Sequence, residues 1–139
     1  MAMLYALREA LRLIDEEGLN ERWQRHAHAS RALRAGLRAM GVQIFGDQEH
    51  AVPMITLVHV PDGLDDLAVR QQLLAEHGIE IMAAFGPLRG RVWRIGTMGV
   101  NASLPSVLQV LSALEAVLAA RGVRVARGAA VEAALEAAR

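Results

Sequence analysis

The apolar period changes near Gly41, and that change limits what the chain can fold into. Before it, apolar residues recur every three or four positions, the spacing of one helix face. Leu4, Leu7, Leu11 and Ile14 predict a helix over 3–17, with Arg8, Arg12, Asp15 and Glu16 on the rest of the cylinder. Gly18 is expected to stop that helix, and Asn20 to cap a second one. The second helix runs to about Met40 along Trp23, Ala27, Ser30, Leu33, Leu37 and Met40. At 1.5 Å per residue it is about 30 Å long. Two long helices before any strand are unusual for a self-contained small domain. They are expected to pack on something beyond it.

After Gly41 the apolar runs are short and β-branched. Val42 to Phe45 and Met54 to Val60 read as strands, separated by the polar loop Gly46 to His50. Pro61-Asp62-Gly63 is turn chemistry. A third helix is expected from Leu64 to Glu76, with Leu67, Leu73 and Leu74 inward and Gly78 at its end. Ile79 to Ala84 and Val92 to Met98 are further strands around a Gly86–Gly90 loop. Ser103, with Pro105 in the first turn, opens a fourth helix along Val107, Leu108, Leu111, Leu114 and Leu118, ending at Gly122. Val131 to Arg139 suits a short terminal helix. The expected fold class is α/β (α+β). A small, mainly antiparallel sheet carries helices on one face, preceded by two long helices, in a single domain over 1–139.

Composition removes several function classes. With no cysteine, disulfides and thiolate chemistry are excluded. Formal net charge is zero, without the basic excess of a nucleic-acid binder. No apolar run approaches the roughly 20 residues that span a bilayer. Arg8 and Glu9 interrupt the apolar start, unlike a secretory signal, so a cytoplasmic location is expected. All fifteen basic residues are arginine. Without lysine, this chain cannot form a lysine Schiff base with an aldehyde cofactor.

The stretch GPLRGRVWRIGTMGVNA, Gly86 to Ala102, is the most informative. Strand alternation puts Trp93, Ile95 and Thr97 on one face and Val92, Arg94 and Gly96 on the other. Trp93 and Ile95 suit a helix-covered core, so Arg94 points to the opposite face, beside a glycine that leaves room. An arginine in an apolar strand is costly to bury alone. Its planar fork of donors suits a carboxylate. Spacing leaves two readings open, a bound ligand carboxylate or an ion pair with an internal Asp or Glu. The glycines here match neither a P-loop nor a dinucleotide fingerprint and read as turns. His26, His28, His50, His59 and His77 show no metal-ligand spacing, and no metal is expected. Asp62, Asp65 and Asp66 gather at a helix start, where the dipole accounts for them.

The stretches MLYALREALRLIDEEG, HVPDG and HGIEIMAAFGPLRGRVWRIGTMGVNA, followed by the last long helix, occur in an order that resembles one family. It is the class V pyridoxal-phosphate aminotransferases, in the alanine–glyoxylate, serine–pyruvate and ureidoglycine–glyoxylate branch. The resemblance covers residues 3 to about 121 and matches only the carboxy-terminal small domain of that family. It implies a transaminase passing an amino group to glyoxylate or pyruvate. It implies pyridoxal phosphate in the complete enzyme, with none bound by this chain alone. The Schiff-base lysine and the cofactor's other ligands would lie in a large domain outside it, so the chain would be inactive by itself. The implied partners are that large domain, a homodimer mate and a small amino or keto acid. Arg94 matches the family arginine that holds the substrate α-carboxylate. No catalytic and no cofactor-binding residue is expected here. A different class also fits the order from Met54 onward: a stand-alone ferredoxin-like module for small-molecule binding or dimerisation.

Overall fold

A computed structural model describes residues 1–139. Two helices lead, α1 (Ala2–Glu17) and α2 (Leu19–Ala39). Then come β1 (Ile55–His59), α3 (Asp66–His77), β2 (Met82–Ala83), β3 (Val92–Gly96), α4 (Leu104–Ala120) and α5 (Ala129–Ala137). The sheet has three strands in the order β1-β3-β2, all antiparallel, so β3 is central. Single 3₁₀ turns occupy Gly86–Leu88 and Gly99–Asn101. The α+β class with a small antiparallel sheet is therefore as the sequence implies. A ferredoxin-like sheet would need a fourth strand.

Helices cover one face of the sheet. Register pairs Thr56 with Ile95 and Val58 with Trp93, and opposed residues share a face. These four and Thr97 are buried. Against them pack Leu33 and Leu37 of α2, Val69 and Leu73 of α3, and Val107, Leu111, Leu114 and Leu118 of α4. Full burial of one such side chain stabilises by about 1.5–3 kcal/mol. On the other face Ile55 pairs with Gly96, while Arg94 pairs with Leu57 and Met82. All five of these are half-buried or exposed. Val92, at the start of β3, is fully buried although it lies on that side.

Several local expectations need correction. Asn20 is not a cap. Gly18, at φ +82°, separates α1 from α2 by itself, and the N–H of Arg22 already bonds to its carbonyl, so Asn20 falls inside the first turn. Val42 to Phe45 forms only the isolated bridge Ile44–Val58. Two hydrogen bonds, Phe45 N–H to Leu57 O and His59 N–H to Gln43 O, lay it along β1 before Gly46 turns at φ +88°. The Ile79–Ala84 strand shrinks to two residues. The N–H groups of Gly78 and Ile79 close α3 on the carbonyls of Leu74 and Leu73, so the backbone leaving the helix goes to its cap before it reaches β3. On α3, Val69 joins Leu73 inside, whereas Leu67 and Leu74 are exposed. Ser103 does cap α4, accepting from the N–H of Ser106, with Pro105 in the first turn.

Helix α5 lies across α2 through small residues: Ala130 and Ala134 are fully buried, and the Ala130 carbonyl stands beside Gly36. By propensity alone, alanine at a helix-interior glycine is favourable by about 1 kcal/mol. At Gly36 a Cβ would stand 2.3 Å from Leu111 Cδ1 and 2.7 Å from the carbonyl oxygen of Ala130. The second contact is backbone and cannot swing away. Overpacking should win, and Gly36→Ala should destabilise the fold by about 1–3 kcal/mol in urea titration. A stabilised variant would mean that α2 and α5 are further apart.

Candidate functional site

The open face of the sheet centres on Arg94, flanked across the register by Leu57 and Met82. Two contacts set its guanidinium. Nε–H donates to the carbonyl oxygen of Ala83 at 3.0 Å. Cζ lies 4.0 Å from the centroid of the Phe85 ring. The terminal nitrogens make no hydrogen bond within the chain, and no carboxylate pairs with them. Of the two readings left open by the spacing, the internal ion pair is not formed. The ion pairs of this chain lie elsewhere, chiefly Arg12 with Glu9 and Glu16, Glu17 with Arg22 and Arg25, and Asp66 with Arg70.

Gly96 keeps the face clear beside the guanidinium. A Cβ there would meet only the tip of Met98, at 3.0 Å. Met82 and Phe85 beside Arg94, and Met98 beside Gly96, are apolar and exposed. The result is a shelf carrying one cation whose outer donors are free. A planar fork so placed suits a carboxylate in the plane of the guanidinium. On the covered face, Trp93 donates from Nε1 to Asp66 Oδ1 at 2.7 Å, and Arg70 grips the same carboxylate at 2.8 Å. The Arg70 guanidinium, with help from the indole, holds the Asp66 carboxyl below its ordinary range. Trp93 is thereby fixed, and Arg94 is turned outward.

A second cluster holds the turn after β3. Arg25 donates to the carbonyls of Gly99 at 2.7 Å and Ala102 at 2.9 Å, while its other donors grip Glu17 at the end of α1. His26, buried beside it, donates from Nδ1 to the Arg22 carbonyl and accepts the Gly99 N–H at Nε2. These contacts tie α1, α2 and the Gly99–Asn101 turn together. Nothing in the spacing of the sequence pointed to Arg25 or Phe85. His26 stood out there only as a poor metal ligand.

The other expected groups have local tasks. Asp65 caps α3 through the N–H of Ala68 at 2.9 Å, while Asp62 is exposed. His59 meets Phe45 edge to face at 5.3 Å, and His50 bonds Asp47. No three His, Asp or Glu side chains come together as a metal site would require. No helix is long and apolar enough to cross a membrane. Helix α1 buries none of its residues, and Leu4, Tyr5 and Leu7 are exposed, as is Trp23 on α2.

The sequence profile described as aminotransferase class I and II matches residues 2–111. The chain is 51% identical, over 96% of its length, to the (S)-ureidoglycine–glyoxylate transaminase of Bacillus subtilis (strain 168), covering 32% of that protein. It is 40% identical, over 83% of its length, to the alanine–glyoxylate aminotransferase of Callithrix jacchus, covering 28% of it. The crystal structure of ureidoglycine–glyoxylate aminotransferase from Bacillus subtilis superposes with a TM-score of 0.94 at 50% identity, over 97% of this chain and 35% of that one. The chain thus spans about a third of the length of the relatives it matches.

The Arg25–Glu17 pair makes the α1 junction sensitive to acid. Arg25 above all, with Arg22, lowers the Glu17 carboxyl from 4.5 to about 2. Because the folded value lies below the unfolded one, this contribution to stability is complete above about pH 4.5 and is lost as the pH falls towards 2. Carbon-detected NMR should find Glu17 titrating near 2. Arg25→Gln should move it back towards 4.5 and shift the Gly99 amide. An ordinary Glu17 titration in the unsubstituted chain would mean the pair is not formed.

Proposed function

The chain belongs to the aminotransferase class I and II family, and on that premise we propose that it is the carboxy-terminal small domain of a transaminase in which Arg94 holds the substrate carboxylate. The branch is the class V alanine–glyoxylate, serine–pyruvate and ureidoglycine–glyoxylate group, with glyoxylate or pyruvate as amino acceptor. One observation carries the assignment: a half-buried guanidinium on the open face of the sheet, beside Leu57, Met82 and Phe85, with its terminal donors unused and no acidic side chain to claim them.

The residues of this chain do not fit pyridoxal phosphate. With no lysine, there is no side-chain amine to join its aldehyde. The lysine, the aspartate for the ring nitrogen and the phosphate ligands belong to a large domain in the complete enzyme. No catalytic residue is assigned here, and the chain alone is inactive. Its own contribution is positional. Two parallel N–H···O bonds from Arg94 fix both the place and the plane of a carboxylate, so the adjacent Cα presents one orientation to the chemistry. The exposed apolar residues of α1 and Trp23 support docking against that large domain and within a homodimer. The protein is soluble and cytoplasmic on this reading.

The test replaces the matching third of the Bacillus subtilis enzyme with this chain. The hybrid should transaminate glyoxylate. Arg94→Ala should cost on the order of 2–5 kcal/mol in kcat/KM while cofactor loading survives. Arg94→Lys should recover only part, because an ammonium lacks the planar fork. An Arg94→Ala hybrid with unchanged kcat/KM would remove Arg94 from the site.

A further inference from the structure

We propose that Phe85 is the positioning residue of this site: its ring fixes the plane of the Arg94 guanidinium and so sets the direction from which a carboxylate is accepted. This rests on the Arg94 assignment and adds a residue to it. An arginine side chain has about 2 kcal/mol of rotamer entropy, and a site that leaves it free spends part of its binding energy on ordering it. Here two contacts of different kinds restrain it. The bond from Nε–H to Ala83 O holds the near end of the group at 3.0 Å but leaves rotation about that bond. The Phe85 ring, 4.0 Å from Cζ, removes it, because a guanidinium over an aromatic face is held by the ring quadrupole. With the near end tied and one face covered, the two terminal nitrogens remain as a fork of defined plane.

The ring itself supports this task better than a packing role. Phe85 is 75% exposed, so little of its area is removed from water, and it belongs to no core cluster. Its place is set by the backbone. Phe85 precedes the Gly86–Leu88 turn, its carbonyl accepts the Leu88 N–H at 3.2 Å, and Gly86 adopts φ +53°. On its other side, Ala84 N–H bonds to Val92 O, which anchors the segment to β3 two residues before Arg94. The aromatic is therefore delivered to the guanidinium by the same strand pairing that orients Arg94.

The test uses the full 139-residue chain labelled uniformly with ¹⁵N. The Trp93 indole N–H, bonded to Asp66 on the opposite face, reports whether the sheet is intact. In the unsubstituted chain the Arg94 Nε–H should be ordered and slow to exchange. Phe85→Leu keeps apolar bulk but not the quadrupole. It should leave the Trp93 signal in place while Arg94 becomes mobile, and Phe85→Trp should keep Arg94 ordered. Pyruvate, titrated as the carboxylate probe, should bind about twofold to thirtyfold more weakly to Phe85→Leu than to the unsubstituted chain. Equal Arg94 order in the Phe85→Leu and unsubstituted chains overturns the proposal, whatever pyruvate does. Unchanged pyruvate binding in Arg94→Ala strikes the carboxylate assignment instead, so the two failures are told apart.

Discussion

The indole-to-carboxylate bond between Trp93 and Asp66 is the contact on which the rest of the arrangement turns. β3 is central in the sheet, and its side chains alternate, so fixing one residue fixes the face of every other. Trp93 is fully buried, and an indole N–H in that position needs an acceptor. Asp66 supplies it from the first turn of α3 and is itself held by Arg70. A slip of one residue would turn Arg94 to the covered, largely apolar face, where a cation is costly to bury, and would take the Trp93 indole away from Asp66. The core thus specifies an outward arginine without touching it.

Two further constraints convert an outward arginine into a site. Gly96 and the short β2 leave the neighbouring surface low, and the Gly86–Leu88 turn brings Phe85 over the guanidinium. The segment after β3 is held from behind by Arg25 and His26. That latch also joins α1 to the domain, although α1 buries nothing within it. An amphipathic helix attached mainly by its charged end, with its leucines outward, is a surface shaped for a partner. The large domain of a transaminase is the partner proposed above.

Much of this was legible in the sequence where period alone decides. The two opening helices, the outward face of Arg94, the Ser103 cap and the α4 stripe all follow from spacing and cap chemistry. Strand lengths were less legible, because pairing depends on distant backbone. Ile79 and Ile81 look like strand residues, yet the end of α3 takes the first N–H groups of that segment for its own cap. Leu67 and Leu74 look inward by composition, but α3 turns Val69 and Leu73 to the core. Phe85 falls between the expected Ile79–Ala84 strand and the Gly86–Gly90 loop, and only the folded turn brings it to Arg94. Arg25 reads as a solvated helix charge until the Gly99 and Ala102 carbonyls arrive from 74 and 77 residues away. The family was legible because its motifs are local, as in the WRIG strand.

The central claim is that Arg94 is a carboxylate anchor. The most direct measurement is a crystal structure of the Bacillus hybrid carrying this chain, soaked with pyruvate. The account predicts both carboxylate oxygens about 2.7–2.9 Å from the terminal nitrogens of Arg94, in the plane of its guanidinium and beside the Phe85 ring. A carboxylate bound to a different cation, with Arg94 still facing solvent, would contradict it.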